Sequence, residues 1–259
     1  METMTVIFIA VAGLVLGSFF NVVIYRLPRE KSLMRPPSSC PGCGARIKPY
    51  DNIPVLSYII LRGKCRKCGQ RISAVYPAVE ALTALGFVLV FFNSGRALGL
   101  EFFAGCVFTS ALIVLGFIDY HHQILPDAIT LPGLVLAFVY SFFRDDLTFR
   151  GALVGAVAGA GFLLLVYGAY FLIRKKEGLG MGDVTMLLMI GATLGLMRTL
   201  LTLILASFVG ALVGVYFILR RGKDFQFALP FGTFLAPAAF AAMLWGEMII
   251  RAYSSLFRR

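Results

Sequence analysis

The chain has 259 residues, of which 59% are hydrophobic and only 14% charged, at a mean hydropathy of +0.86. Soluble globular domains carry roughly 25% charged residues, so this composition excludes an ordinary soluble fold and points to a chain whose main solvent is lipid. The formal charge of +11 does not mark a nucleic-acid binder, because most of the cations fall in loops between apolar runs.

Taken in chain order, the apolar segments predict helices over about 4–25, 74–93, 98–118, 128–143, 151–173, 184–198, 199–219 and 229–250. Several, such as Thr3–Tyr25, Gly151–Ile173 and Thr199–Leu219, exceed the ~20 residues that span a hydrocarbon core. The first is followed rather than preceded by positive charge and lacks a basic n-region, so it reads as a retained helix. The division at 198/199 is the weakest, one long kinked helix being the alternative. The pattern as a whole predicts an all-α polytopic membrane protein of about eight spans. Its parts are a first helix (1–25), a cytoplasmic loop domain (26–73) and a helical core (74–259). Small residues recur along the spans, as in Gly151–Gly155, and permit close helix approach.

Loop charge sets the orientation. The 26–73 loop carries eleven Lys/Arg, and placing it inside also puts Arg174-Lys175-Lys176 and Arg220-Arg221-Lys223 inside. Both termini then lie outside a cytoplasmic membrane, with the bilayer as constant partner.

That loop contains Cys40-Pro41-Gly42-Cys43 and Cys65-Arg66-Lys67-Cys68, with 21 residues between the pairs. Each CxxC puts two thiolates on one knuckle, and two knuckles supply the four tetrahedral ligands of a structural Zn²⁺. Gly44 and Gly69 stand where a knuckle turn needs permissive backbone. Disulfides are the alternative, which a reducing cytoplasm disfavours. Cys106, inside the third helix, reads as a packed apolar residue.

Most acidic residues fall in loops, where solvation explains them. Asp119 and Asp183 differ: the first ends an apolar run and the second opens a helix after Gly180-Met181-Gly182. Both map to the cytoplasmic edge at similar depth, where an ionisable group is costly and a functional role is the default. Two facing carboxylates can share a proton, one acting as general base on water while the other polarises a carbonyl. Gly180 and Gly182 would let an extended peptide approach Asp183. Helix capping is the plain alternative for Asp183, and for Asp127 it is the preferred one. Glu80, near the cytoplasmic end of the second helix, reads either as a partner of a loop arginine or as part of a polar cavity. His121 and His122 read as interfacial polar residues.

Together the motifs resemble the bacterial prepilin peptidase (type IV leader peptidase) family. The resemblance rests on Gly17-Ser18-Phe19-Phe20-Asn21 through Arg26-Leu27-Pro28, then the cysteine loop enclosing Asp51-Asn52-Ile53-Pro54, then Tyr76-Pro77-Ala78-Val79-Glu80. Asp119 through Leu125-Pro126-Asp127, Gly180-Met181-Gly182-Asp183 and Pro230-Phe231-Gly232 complete it. It implies a GxGD-type aspartyl peptidase with Asp119 and Asp183 as catalytic pair. The implied substrates are prepilins or pseudopilins, and the implied second activity is N-methylation with S-adenosylmethionine. One departure is His121, where members often carry a second acid. The rival class is a proton-coupled transporter with functional carboxylates. Its sites usually lie at the midplane, whereas these acids cluster at one face.

Overall fold

The structure, a computed structural model, describes residues 2–175, 180–221 and 229–256. Lys176 and Lys223, which contribute to the charge bias, lie outside the described residues. The elements are α1 (Glu2–Arg26), α2 (Leu56–Ile60), α3 (Val75–Asn93), α4 (Leu100–His122), α5 (Asp127–Tyr140), α6 (Phe149–Arg174), α7 (Met181–Arg221) and α8 (Gly232–Leu256). Among the described residues, six helices are long and apolar enough to cross a membrane, and α5 is a shorter apolar helix.

The chain forms two compact units, Met1–Val114 and Leu115–Arg259, with α4 running through the boundary. In the first, α1 packs against α3. The contact is possible because Gly13 and Gly17, one turn apart, have no side chains: a Cβ on Gly13 would stand 2.6 Å from the Ala84 Cα, and one on Gly17 2.7 Å from the Glu80 Cα. Backbone therefore meets backbone, the small-xxx-small arrangement that lets membrane helices gain dispersion contacts where lipid offers no hydrophobic drive. Asn21 adds a side-chain bond across the pair, its Nδ2 donating to the Tyr76 carbonyl at 3.0 Å.

In the second unit α7 packs against α5, α6 and α8. Met186, Leu187, Met189 and Ile190 of α7 are fully buried, as are Ile118 of α4 and Leu235 of α8. The crossing of α6 and α7 is again glycine on glycine: Gly155 and Gly191 leave no room for any side chain on the other.

The two helices expected over 184–198 and 199–219 run on within α7 as two helical stretches, and the break between them falls at Gly195 rather than at 198/199. Gly195 has φ 74° and ψ 175°, a region open essentially to glycine alone. The carbonyls loosened there find side-chain donors. Arg144 Nη1 reaches the Thr193 carbonyl at 2.7 Å, and the Thr199 hydroxyl donates to the Gly195 carbonyl at 2.6 Å. Among the described residues there are thus six long apolar helices, one of them broken at Gly195, and the shorter α5.

Candidate active site

Asp119 lies in the last turn of α4 and is 4% exposed; Asp183 is the third residue of α7 and 9% exposed. Each burial needs a compensating interaction, since an unsatisfied carboxylate in an apolar surround is costly. For Asp119 the partner is the first turn of α8. Its Oδ2 accepts the Thr233 backbone N–H at 2.7 Å and the Thr233 hydroxyl at 3.1 Å. The start of a helix presents N–H groups with no intrahelical acceptor, which suits it to hold an anionic oxygen. The Gly232 N–H interacts with both carboxyls, and the charge on Asp119 is felt at Asp183. Two carboxyl groups from different helices thus share one helix end.

Gly232 has to be small there. A Cβ would stand 3.0 Å from Asp119 Oδ2 and 3.0 Å from the Leu125 methyls. Leu125 is also the neighbour of Gly182, whose Cβ would come within 2.8 Å of the Leu125 Cβ and 3.3 Å of its carbonyl oxygen. The space beside Gly182 is thus taken by Leu125, so that glycine serves the packing of the α4–α5 connection against the start of α7. Among the described residues, a Cβ on Gly180 would meet only Asp183 Oδ2 at 3.6 Å and the Gly182 nitrogen at 4.0 Å. As the third helical residue, Asp183 does not sit at the cap of α7.

Asp127 opens α5, is exposed, and accepts a long hydrogen bond from the Thr130 hydroxyl at 3.4 Å. Thr130 also lies 3.3 Å from the Thr185 hydroxyl, tying the start of α5 to α7. His121 is exposed and its ring stands 5.0 Å from that of Tyr120. Thr233 and Leu125 are the residues sequence reasoning did not single out. Thr233 follows the Pro-Phe-Gly motif, but nothing in its type announces that its N–H and hydroxyl both point at a carboxylate 114 positions earlier.

Glu80 belongs to the first unit. It is buried, and its Oε2 accepts the Val55 N–H at 2.7 Å. Its partner is a loop backbone group rather than a loop arginine; the arginine Arg66 instead grips Asp51, through Nε at 3.0 Å and Nη2 at 2.6 Å. That grip holds the Asp51 carboxyl below its ordinary range.

The cysteine loop builds two matching knuckles. In one, the Cys40 N–H donates to the Ala45 carbonyl and the Gly44 N–H returns to Cys40; in the other, Cys65 pairs with Gln70 and Gly69 returns to Cys65. Bridges between Ser39 and Arg46 and between Lys64 and Arg71 close them. Gly44 and Gly69 have φ of 67° and 73°, the left-handed turn expected of them. The Sγ atoms of Cys40, Cys43, Cys65 and Cys68 all lie within 4.8 Å of one another, Cys40 and Cys68 at 3.8 Å. Four thiolates ~2.3 Å from a tetrahedral metal stand ~3.8 Å apart, so the donor set fits a closed structural site. The N–H groups of Cys68 and Lys67 draw the Cys65 thiol down to about 6, while burial and the neighbouring thiols push its partner Cys68 up to about 11. Cys106 is buried in α4, as expected of a packed residue.

These features define a multi-helix protein of membrane composition, with a paired-carboxylate site in one unit and a four-thiol cluster in the other. Residues 11–94 match the bacterial Peptidase A24 N-terminal domain, and residues 106–215 match the Type IV leader peptidase family. The Prepilin leader peptidase/N-methyltransferase of Pseudomonas putida is 41% identical, over 92% of this chain and 90% of its own length. The proteins of that name from Pseudomonas aeruginosa and Aeromonas hydrophila are 38% and 39% identical, over 93% and 95% of this chain. No solved structure matches it. The chain belongs to the type IV leader peptidase family. Nothing in these similarities favours a transporter.

Proposed function

We propose that this protein is a prepilin leader peptidase and N-methyltransferase of the bacterial inner membrane, with Asp119 and Asp183 as its catalytic carboxyls. The observation that carries the reading is the meeting of two buried carboxyls over the first turn of α8 in a chain of this family.

The chemistry is peptide hydrolysis by a coupled pair that holds one proton. The ionised carboxylate removes a proton from water as the water oxygen attacks the scissile carbonyl carbon. The protonated partner gives its proton to the carbonyl oxygen, forming a tetrahedral diol. On collapse the C–N bond breaks. The proton taken from water passes to the leaving amine, and the diol returns the other to its carboxyl. Gly180, beside Asp183 and free of close neighbours among the described residues, would admit an extended peptide. Leu125, with Gly182 and Gly232, holds the three helix ends in register.

The cytoplasmic orientation is supported by the eleven cations of the 26–73 loop. A short basic leader followed by an apolar helix would present its cleavage point at that face. We assign the four-thiol cluster to structural Zn²⁺ held by Cys40, Cys43, Cys65 and Cys68, which would tie the two halves of the loop domain together. S-adenosylmethionine would supply the methyl group for the new N-terminus.

Incubating the purified protein with a prepilin, wild type beside Asp183→Ala, tests the reading by mass. Loss of the leader with wild type alone is expected, with a further methyl mass when S-adenosylmethionine is added. An intact prepilin after wild-type treatment would refute it.

A further inference from the structure

Loops that leave a membrane are normally polar, yet the stretch around α2 is not. Ile53, Leu56, Ile59 and Ile60 are 46%, 49%, 64% and 63% exposed. Leu56, Ile59 and Ile60 share one side of the short helix and Ile53 lies just before it, while Ser57 is buried. The Ser57 hydroxyl accepts the Ile53 N–H and donates to the Tyr50 carbonyl, both at 3.0 Å, fixing how the stretch is presented.

The depth of this stretch is set by Glu80. Glu80 is the sixth residue of α3, so its Cα lies about 8 Å along the axis from Val75. Its side chain leans back toward the helix start, so the carboxylate stands within about one turn of that end. On the neighbouring helix Gly17, nine residues before Arg26 and so about 14 Å from the end of α1, abuts the Glu80 Cα. The Val55 N–H bonded to Glu80 is therefore held below the ends of both apolar helices.

Reaching that depth strains the chain. Val55 has φ 59° and ψ −49°, and the Leu56 N–H closes onto the Pro54 carbonyl in a three-residue turn. A β-branched residue in that conformation is a genuine outlier that persists only when its surroundings enforce it. Here the buried carboxylate does so.

We propose that Ile53–Ile60 is an interfacial anchor: its apolar side lies in the headgroup and acyl boundary of an anionic bilayer and holds the cysteine loop down on the membrane. The partner follows from charge as well as depth. The 26–73 segment carries eleven Lys/Arg against Glu30 and Asp51 alone, and Asp51 is already paired with Arg66. Lys48, Arg62 and Lys64 flank the apolar stretch and are exposed. Exposed apolar residues rimmed by cations at the edge of a span are the composition of a segment that lies in the interface plane. This reading is independent of the catalytic assignment above.

The test uses the full-length protein in phosphatidylethanolamine/phosphatidylglycerol vesicles, with Trp245→Phe removing the single native tryptophan. Ile60→Trp then reports on the stretch by fluorescence, with Ile53→Trp as a second reporter should the first variant fail to fold. We expect several-fold stronger quenching by lipids brominated near the headgroup end of the acyl chain than by aqueous iodide. Quenching by iodide with little effect of brominated lipid would overturn the anchor. So would protection that develops only when prepilin is added, which would make this side a substrate-docking face instead.

Discussion

Thr233 gives Asp119 two donors on one oxygen, and the two are separable by substitution. Thr233→Ala keeps the backbone N–H and removes the hydroxyl, whose loss at a charged acceptor is worth about 1.5–3 kcal/mol. Cleavage by Thr233→Ala should therefore fall by roughly tenfold to a hundredfold, with Thr233→Ser restoring it, in a steady-state assay of leader removal. Gly182→Ala should act through a different contact, since its Cβ would press on the Leu125 backbone and side chain at the junction of three helix ends. At this scale the two buried carboxyls were legible in the sequence and their supports were not. Asp119 and Asp183 stood out because a carboxylate at the edge of an apolar run has few innocent explanations. Gly182, expected to leave an opening for an extended peptide, has Leu125 packed against it. No local pattern reveals a contact between residues 57 positions apart.

The elements owe their packing to a few glycines. Gly195→Ala should lower stability by roughly 1–3 kcal/mol, because its backbone conformation excludes a Cβ. The added atom would also lie 2.8 Å from a Leu147 methyl. A lower unfolding temperature in detergent would register the loss. The small-residue pattern announced that helices would approach closely, and the Gly155–Gly191 crossing is such an approach. The position of the break was less legible. The division expected at 198/199 lies three residues beyond the break at Gly195. Arg198 pairs with Glu247 of α8 at 3.5 Å, and the helix continues through it. The knuckles were the most legible element of all: CxxCG fixes ligand spacing and turn chemistry within five residues, leaving little to tertiary context.

For the whole molecule, metal and membrane orientation are the quantities to measure. Purified protein should carry about one Zn²⁺ per chain and Cys40→Ser should reduce it, with elemental analysis as the readout. Strong chelation should loosen the 26–73 loop first, which protease sensitivity would reveal. Gln123 is exposed just beyond α4, so a cysteine placed there should label from the cytoplasmic side only. Labelling by an impermeant reagent outside intact cells would invert the topology, because the charge bias is its sole support. The central claim is that Asp119 and Asp183 act as one catalytic unit, and single-turnover cleavage of a prepilin by Asp119→Asn and Asp183→Asn tests it most directly. Each variant, shown by thermal unfolding to be folded, should lose at least about 10²- to 10⁴-fold in rate, since an amide serves neither as base nor as acid. Near-wild-type cleavage by either folded variant would contradict the account.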